Sequence, residues 1–127
     1  MSGVVLDSSA VLAVINAERG AARVIEVLDG ALLSAVNHAE VMTKLIDRGV
    51  DRELARTTVL KIGVEIIDFG LDLADRTGEL RRETRHLGLS LGDRACLALA
   101  ESEGLPAMTA DKKWAGANLG VDIRIIR

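Results

Sequence analysis

The 127-residue chain has one cysteine, one proline, no tyrosine and only two aromatic residues, Phe69 and Trp114. A lone cysteine, Cys96, excludes an internal disulfide and any multi-cysteine zinc site. Two aromatic rings cannot form the stacking row on which many single-strand binders hold bases. No apolar run approaches the roughly 20 residues that span a bilayer, so no membrane association is expected. Met1-Ser2-Gly3 is followed by neither a basic leader nor a long apolar stretch, so no secretory signal is expected either. A reducing, cytoplasmic location is the expectation that results. Positive charge is also in short supply: 16 Lys and Arg stand against 19 Asp and Glu, a net charge of −3. The chain is therefore no broadly basic nucleic-acid coat.

What the chain does have is aliphatic bulk. Apolar residues make up 49% and charged residues 28%, and the mean hydropathy of +0.25 argues for a packed core rather than disorder. With no linker or repeat, residues 1–127 read as one domain. Short β-like runs alternate with helical periodicity. Strands are expected at Gly3-Val4-Val5-Leu6, Ala31 to Ser34, Val64 to Ile67, Ala107 to Thr109 and Val121 to Ile126. Between them, helices are expected over Ala10 to Ile15, Gly20 to Leu28, a segment capped by Asn37, a segment capped by Asp51, Leu71 to Arg85, and a segment opened by Gly92-Asp93. Such alternation implies βαβ crossovers and an α/β fold: a central, mainly parallel sheet flanked by helices in an α/β/α arrangement. In sheets of that kind ligands gather at the carboxyl ends of the strands.

Asp7 and Asp111 follow strand candidates, while Glu40 and Asp93 lie at helix starts, which share that end of the sheet. Each has an ordinary structural role open to it, as a helix cap or a first-turn acid. If they converge, mutual repulsion and lost hydration make the cluster costly unless it binds a proton or a cation. An all-oxygen donor set suits a hard ion, Mg²⁺ or Mn²⁺. Such an ion grips phosphate oxygens and lowers the pKa of an attacking water.

The same residues carry a family likeness. Val4-Val5-Leu6-Asp7-Ser8-Ser9-Ala10 resembles the opening motif of PIN-domain nucleases, and Leu33-Ser34-Ala35-Val36-Asn37-His38-Ala39-Glu40-Val41 resembles their second. Leu89-Ser90-Leu91-Gly92-Asp93-Arg94-Ala95-Cys96, continuing to Ala100, is similar to the third, and Met108-Thr109-Ala110-Asp111-Lys112-Lys113-Trp114 to the fourth. The motifs stand in the family's order, and the short single-domain form most resembles VapC-type toxins of toxin–antitoxin pairs. The resemblance implies a PIN-like fold and a Mg²⁺- or Mn²⁺-dependent endoribonuclease, held inactive by a cognate VapB-type antitoxin. It makes Asp7 and Asp93 direct metal ligands, with Glu40 and Asp111 completing the catalytic pocket and Thr109 supporting it.

Other residues have weaker claims. Arg81, Arg82 and Arg85, beside His86, form the densest basic cluster, and Arg94, Lys112 and Lys113 directly follow pocket acids. All six basic side chains are candidates for RNA-backbone contacts, against the alternative of a solvated face. His38 reads as a neutral or solvent-facing structural histidine, Cys96 as a small core residue, and Trp114 as core rather than a base-stacking platform. The surplus of apolar residues in so charged a chain suggests a homodimer and a groove for an antitoxin segment. Three alternatives compete with the toxin reading. One is a receiver or phosphatase, disfavoured because Asp7 lacks a paired acid; the others are a non-catalytic PIN-fold binding module and an RNA-processing nuclease without an antitoxin.

Overall fold

A computed structural model describes residues 3–127. The strands β1 (Val4–Leu6), β2 (Ala31–Ser34), β3 (Glu65–Ile67), β4 (Ala107–Thr109) and β5 (Ile123–Ile125) form one sheet. Its order is β3-β2-β1-β4-β5 and every pairing is parallel, as the βα alternation requires. The direction of strand addition reverses between β1 and β4, the position at whose carboxyl ends sheets of this kind take ligands.

Side-chain alternation along the strands sorts the core into two layers. Val4 and Leu6 of β1 join Leu33, Met108 and the inner faces of helices α1 (Ser8–Ile15), α2 (Ala21–Ile25), α3 (Ala35–Asp47) and α4 (Arg52–Lys61). Val5 points the other way, joining Leu32, Ala107, Leu80 of α5 (Leu71–Thr84) and the Cys96 to Ala100 stretch of α6 (Leu91–Glu103). Trp114 is fully buried in that second layer and offers no face to a base. Across the outer surface, Arg76 of α5 makes a two-pronged bond to Glu101 of α6, at 2.7 and 3.0 Å.

Helix starts depart from the sequence reading in two informative places. The cap of α3 is Ser34, whose hydroxyl accepts from the Val36 amide, and not Asn37. Asn37 lies inside the helix and is completely buried, which moves Glu40 from the first turn into the second. The cap of α6 is Ser90, so the helix opens at Leu91, one residue before the expected Gly92-Asp93 opening. Asp51 caps α4 as expected, accepting from the Leu54 amide at 2.9 Å. The segment expected to be helical from Gly20 to Leu28 is shorter, because Val27 and Leu28 bond back by three residues and Gly30 at φ +82° turns the chain into β2. Among the described residues no helix is long and apolar enough to cross a membrane.

Candidate active site

The main-chain bond from the Asp7 amide to the Met108 carbonyl extends the β1–β4 ladder one step past the end of β1. Asp7 then occupies the N-cap position of α1, yet among the described residues its side chain makes no capping bond. Its carboxylate turns instead toward two hydroxyls: Ser9 donates to Oδ2 at 2.6 Å and Thr109 donates to the same oxygen at 2.9 Å. Those hydroxyls are fixed in turn, Ser9 accepting from the Ala110 amide and Thr109 from the Asp111 amide. Asp7 is only 3% exposed, and its other oxygen, Oδ1, is buried with no partner among the described residues.

Burial dominates the electrostatics of this carboxyl. Lost hydration raises its pKa from 3.8 to about 6, and the charges of Asp93 and Glu40 push the same way against the lowering effect of the hydroxyls. The buried thiol of Cys96 is raised by its own burial and feels Asp7, Asp93 and Glu40 as well. Asp7, Glu40 and Asp93 therefore converge on one small region although distant in sequence.

The two partners of Asp7 are held differently. Asp93 is the third residue of α6 and closes a capping box: the Ser90 hydroxyl accepts from its amide while its own Oδ2 accepts from the Ser90 amide at 2.9 Å. Glu40 projects from α3, where its Oε1 accepts from Ser8 at 3.0 Å and from Asn37 at 2.9 Å. Asp111 is different again. It caps the 3₁₀ turn Lys112–Gly116 through Oδ1, its other oxygen lies 3.7 Å from the Lys113 ammonium, and it is absent from the charges acting on Asp7. The Asp111 amide reaches the cluster by donating to the Thr109 hydroxyl.

The donor set suits a hard divalent cation. All three converging groups are carboxylates, one of them carrying a buried oxygen without a partner among the described residues. Among the described residues no three acidic, histidine or cysteine side chains close into a metal cage by themselves. Mg²⁺ does not need one, since it keeps several waters and takes one or two carboxylates.

The basic candidates stand apart from the acids. Arg81, Arg82 and Arg85 are exposed along α5 and its 3₁₀ extension, and line a groove of about 300 Å³. Among the described residues none of them forms an ion pair. Arg94 is half-buried, with one guanidinium nitrogen donating to the Thr77 carbonyl at 2.9 Å, so it straps α6 to α5. Lys112 is exposed, and Lys113 sits against Asp111. His38 is lowered below its usual 6.5 by burial and by the charge of Arg56, which favours the neutral ring. Sequence reasoning missed Ser9, Ser8 and Asn37 as holders of acids. The available signal was small: hydroxyls beside Asp7, and an amide three residues before Glu40.

Compared with known protein families, residues 4–118 match the PIN domain model. The chain belongs to the PIN-domain family. No curated protein matches the sequence significantly. Among solved structures, this PIN chain resembles VapBC2 of Rickettsia felis, bound there to a DNA fragment from its promoter. The TM-score is 0.76 at 20% identity, covering 98% of this chain and 99% of the other. A toxin–antitoxin complex from Klebsiella pneumoniae follows at 0.71 and 24%, covering 93% and 94%. VapC20 of Mycobacterium tuberculosis, a sarcin–ricin-loop-cleaving toxin, superposes at 0.71 with 19% identity, covering 94% and 98%. At these identities the likeness establishes the shared fold.

Proposed function

We propose that the chain is a Mg²⁺- or Mn²⁺-dependent endoribonuclease and the toxin of a VapBC-type pair. The observation that carries this reading is Asp7: a buried carboxylate at an N-cap position that, among the described residues, does not cap and keeps one oxygen unpaired, with two further acids beside it. Its position at the carboxyl end of the central strand, beside the β1–β4 reversal, suits a ligand. The whole-chain likeness to toxin structures, one described as cleaving the sarcin–ricin loop, supports RNA as substrate.

Within this reading Asp7 and Asp93 hold the metal directly and Glu40 completes the pocket, with Asp111 acting at its border. Such an ion would supply positive charge and Lewis acidity toward phosphate oxygens and water. Ser9 and Thr109 hold Asp7 Oδ2 and so orient its free oxygen. Arg81, Arg82, Arg85 and Lys112 supply positive charge to the RNA backbone. Buried Trp114 leaves recognition to backbone and shape rather than to stacking.

A VapB-type antitoxin and a second copy of the chain are the proposed protein partners, supported by exposed Ile46, Leu54, Leu60 and Leu91. A cytoplasmic location accords with those partners. Induction in cells, followed by sequencing of RNA ends, tests the reading. Growth arrest with new RNA ends is expected from the wild type, and neither from Asp7→Asn or Asp93→Asn. Arrest and cleavage by both variants would sink it.

A further inference from the structure

Asn37 contributes no surface and no helix cap, and it is 0% exposed. Its Nδ2 donates to Glu40 Oε1 at 2.9 Å and to the main-chain carbonyl of Gly92 at 3.0 Å. Both neighbours are acceptors, so only an amino group fits between them; the reversed amide would set three oxygens against one another. The cost falls on Asn37 Oδ1, which is buried without a partner among the described residues. Leaving a buried carbonyl oxygen unpaired is destabilising, and an aliphatic side chain at position 37 would avoid it.

Gly92 closes the same seat from α6. A Cβ at that position would collide with the carboxyl group of Glu40, so the absence of a side chain there makes room for the glutamate. The carbonyl that Asn37 grips belongs to the residue immediately before Asp93. One amide therefore ties Glu40, on α3, to the first turn of α6 that carries Asp93. Ser8 adds a second donor to Glu40 Oε1, and among the described residues no hydrogen bond reaches Oε2.

We propose that Asn37 is a positioning residue, whose amide bridge between Glu40 and the Gly92 carbonyl fixes the spacing of Glu40 and Asp93 so that the pocket accepts a small divalent cation. This rests on the metal-dependent reading above. Groups that orient metal-pocket side chains typically matter about 10- to 100-fold in metal affinity or activity.

The test titrates Mn²⁺ into the full, chelator-treated chain by calorimetry and measures RNA cleavage in parallel, with folding checked by thermal melting. Asn37→Ala is expected to weaken Mn²⁺ binding about tenfold or more. It should lower kcat while KM for RNA stays within about twofold, and excess Mn²⁺ should restore most of the rate. Asn37→Asp should be worse, because it sets a carboxylate against two acceptors. Gly92→Ala, which leaves residue 37 untouched, should reproduce the weakened binding and decides the matter if Asn37→Ala does not fold. In a Glu40→Gln background, Asn37→Ala should add little further loss, because the two act as one unit. Folded Asn37→Ala or Gly92→Ala protein with wild-type Mn²⁺ affinity would overturn the proposal, as would losses that multiply in the double variant. If the wild type and Asp7→Asn alike take up no Mn²⁺, the metal reading itself fails and this proposal with it.

Discussion

Asp7 shows how a single residue can depart from the role its position suggests. The run Asp7-Ser8-Ser9 before an apolar stretch is what a helix start requires, and a helix does start there. The carboxylate nevertheless serves Ser9 and Thr109, the latter 102 residues away. The motif around Asp7 made the acid legible in sequence. Its unpaired oxygen and its hydroxyl partners were not, because they depend on β1 and β4 lying side by side.

A measurable pH dependence follows. With the folded pKa near 6 and the ordinary value at 3.8, the folded state binds the Asp7 proton more tightly than the unfolded chain does. In metal-free protein this contribution is fully present below pH ~4 and is lost as pH rises through ~6, a change on the order of 3 kcal/mol. Denaturant titrations in chelator should show wild type losing stability over that window relative to Asp7→Asn. Asp7→Asn should be the more stable protein at neutral pH, although inactive. A wild type that gains stability over the same window, relative to the variant, would contradict the assigned burial.

Elements were legible where periodicity is strong and less so at their ends. The apolar stripe of α3, with Val41 and Leu45 buried, was visible in sequence, but its start was not. Ser34 and Asn37 both satisfy the chemistry of a cap, and only packing against Gly92 places Asn37 inside. For α6, the Ser90–Asp93 box makes one carboxylate serve both the helix and the pocket. Ser90→Ala should lower stability by about 1 kcal/mol and, by freeing Asp93, reduce cleavage more than that stability loss explains. Cleavage unchanged by Ser90→Ala would detach the box from the site. Asp111 caps its own turn and lies 3.7 Å from the Lys113 ammonium. Asp111→Asn should therefore cost less activity than Asp7→Asn or Asp93→Asn when the three are assayed side by side.

Across the whole molecule, the shortage of positive charge takes on a different meaning. Setting aside Asp7, Glu40, Asp93 and Asp111 from the 19 acids leaves 15, against 16 basic residues. Part of the acidity is thus the proposed pocket, where a divalent cation would offset two of the negative charges and present its own charge to phosphate. The parallel sheet was legible because helical segments separate each strand candidate from the next as far as β4. Which arginines remain free was not, because Arg76 and Arg94 are engaged by neighbours that only the packing of α5 on α6 reveals. Replacing Arg81, Arg82 and Arg85 together with glutamine should raise KM for RNA with kcat little changed. It should also reduce the salt dependence of binding, by about 2 in the log–log slope if all three meet phosphates. An unaltered slope would return them to an ordinary solvated face.

The rate of RNA cleavage by partner-free protein, followed against Mg²⁺ or Mn²⁺ concentration beside Asp7→Asn, probes the site most directly. Chelated wild type should be silent and should recover on adding either ion, while Asp7→Asn stays at least ~10³-fold slower at saturating metal, a loss of several kcal/mol. Cleavage that persists in chelator, or that Asp7→Asn retains in full, would contradict a metal nuclease built around Asp7.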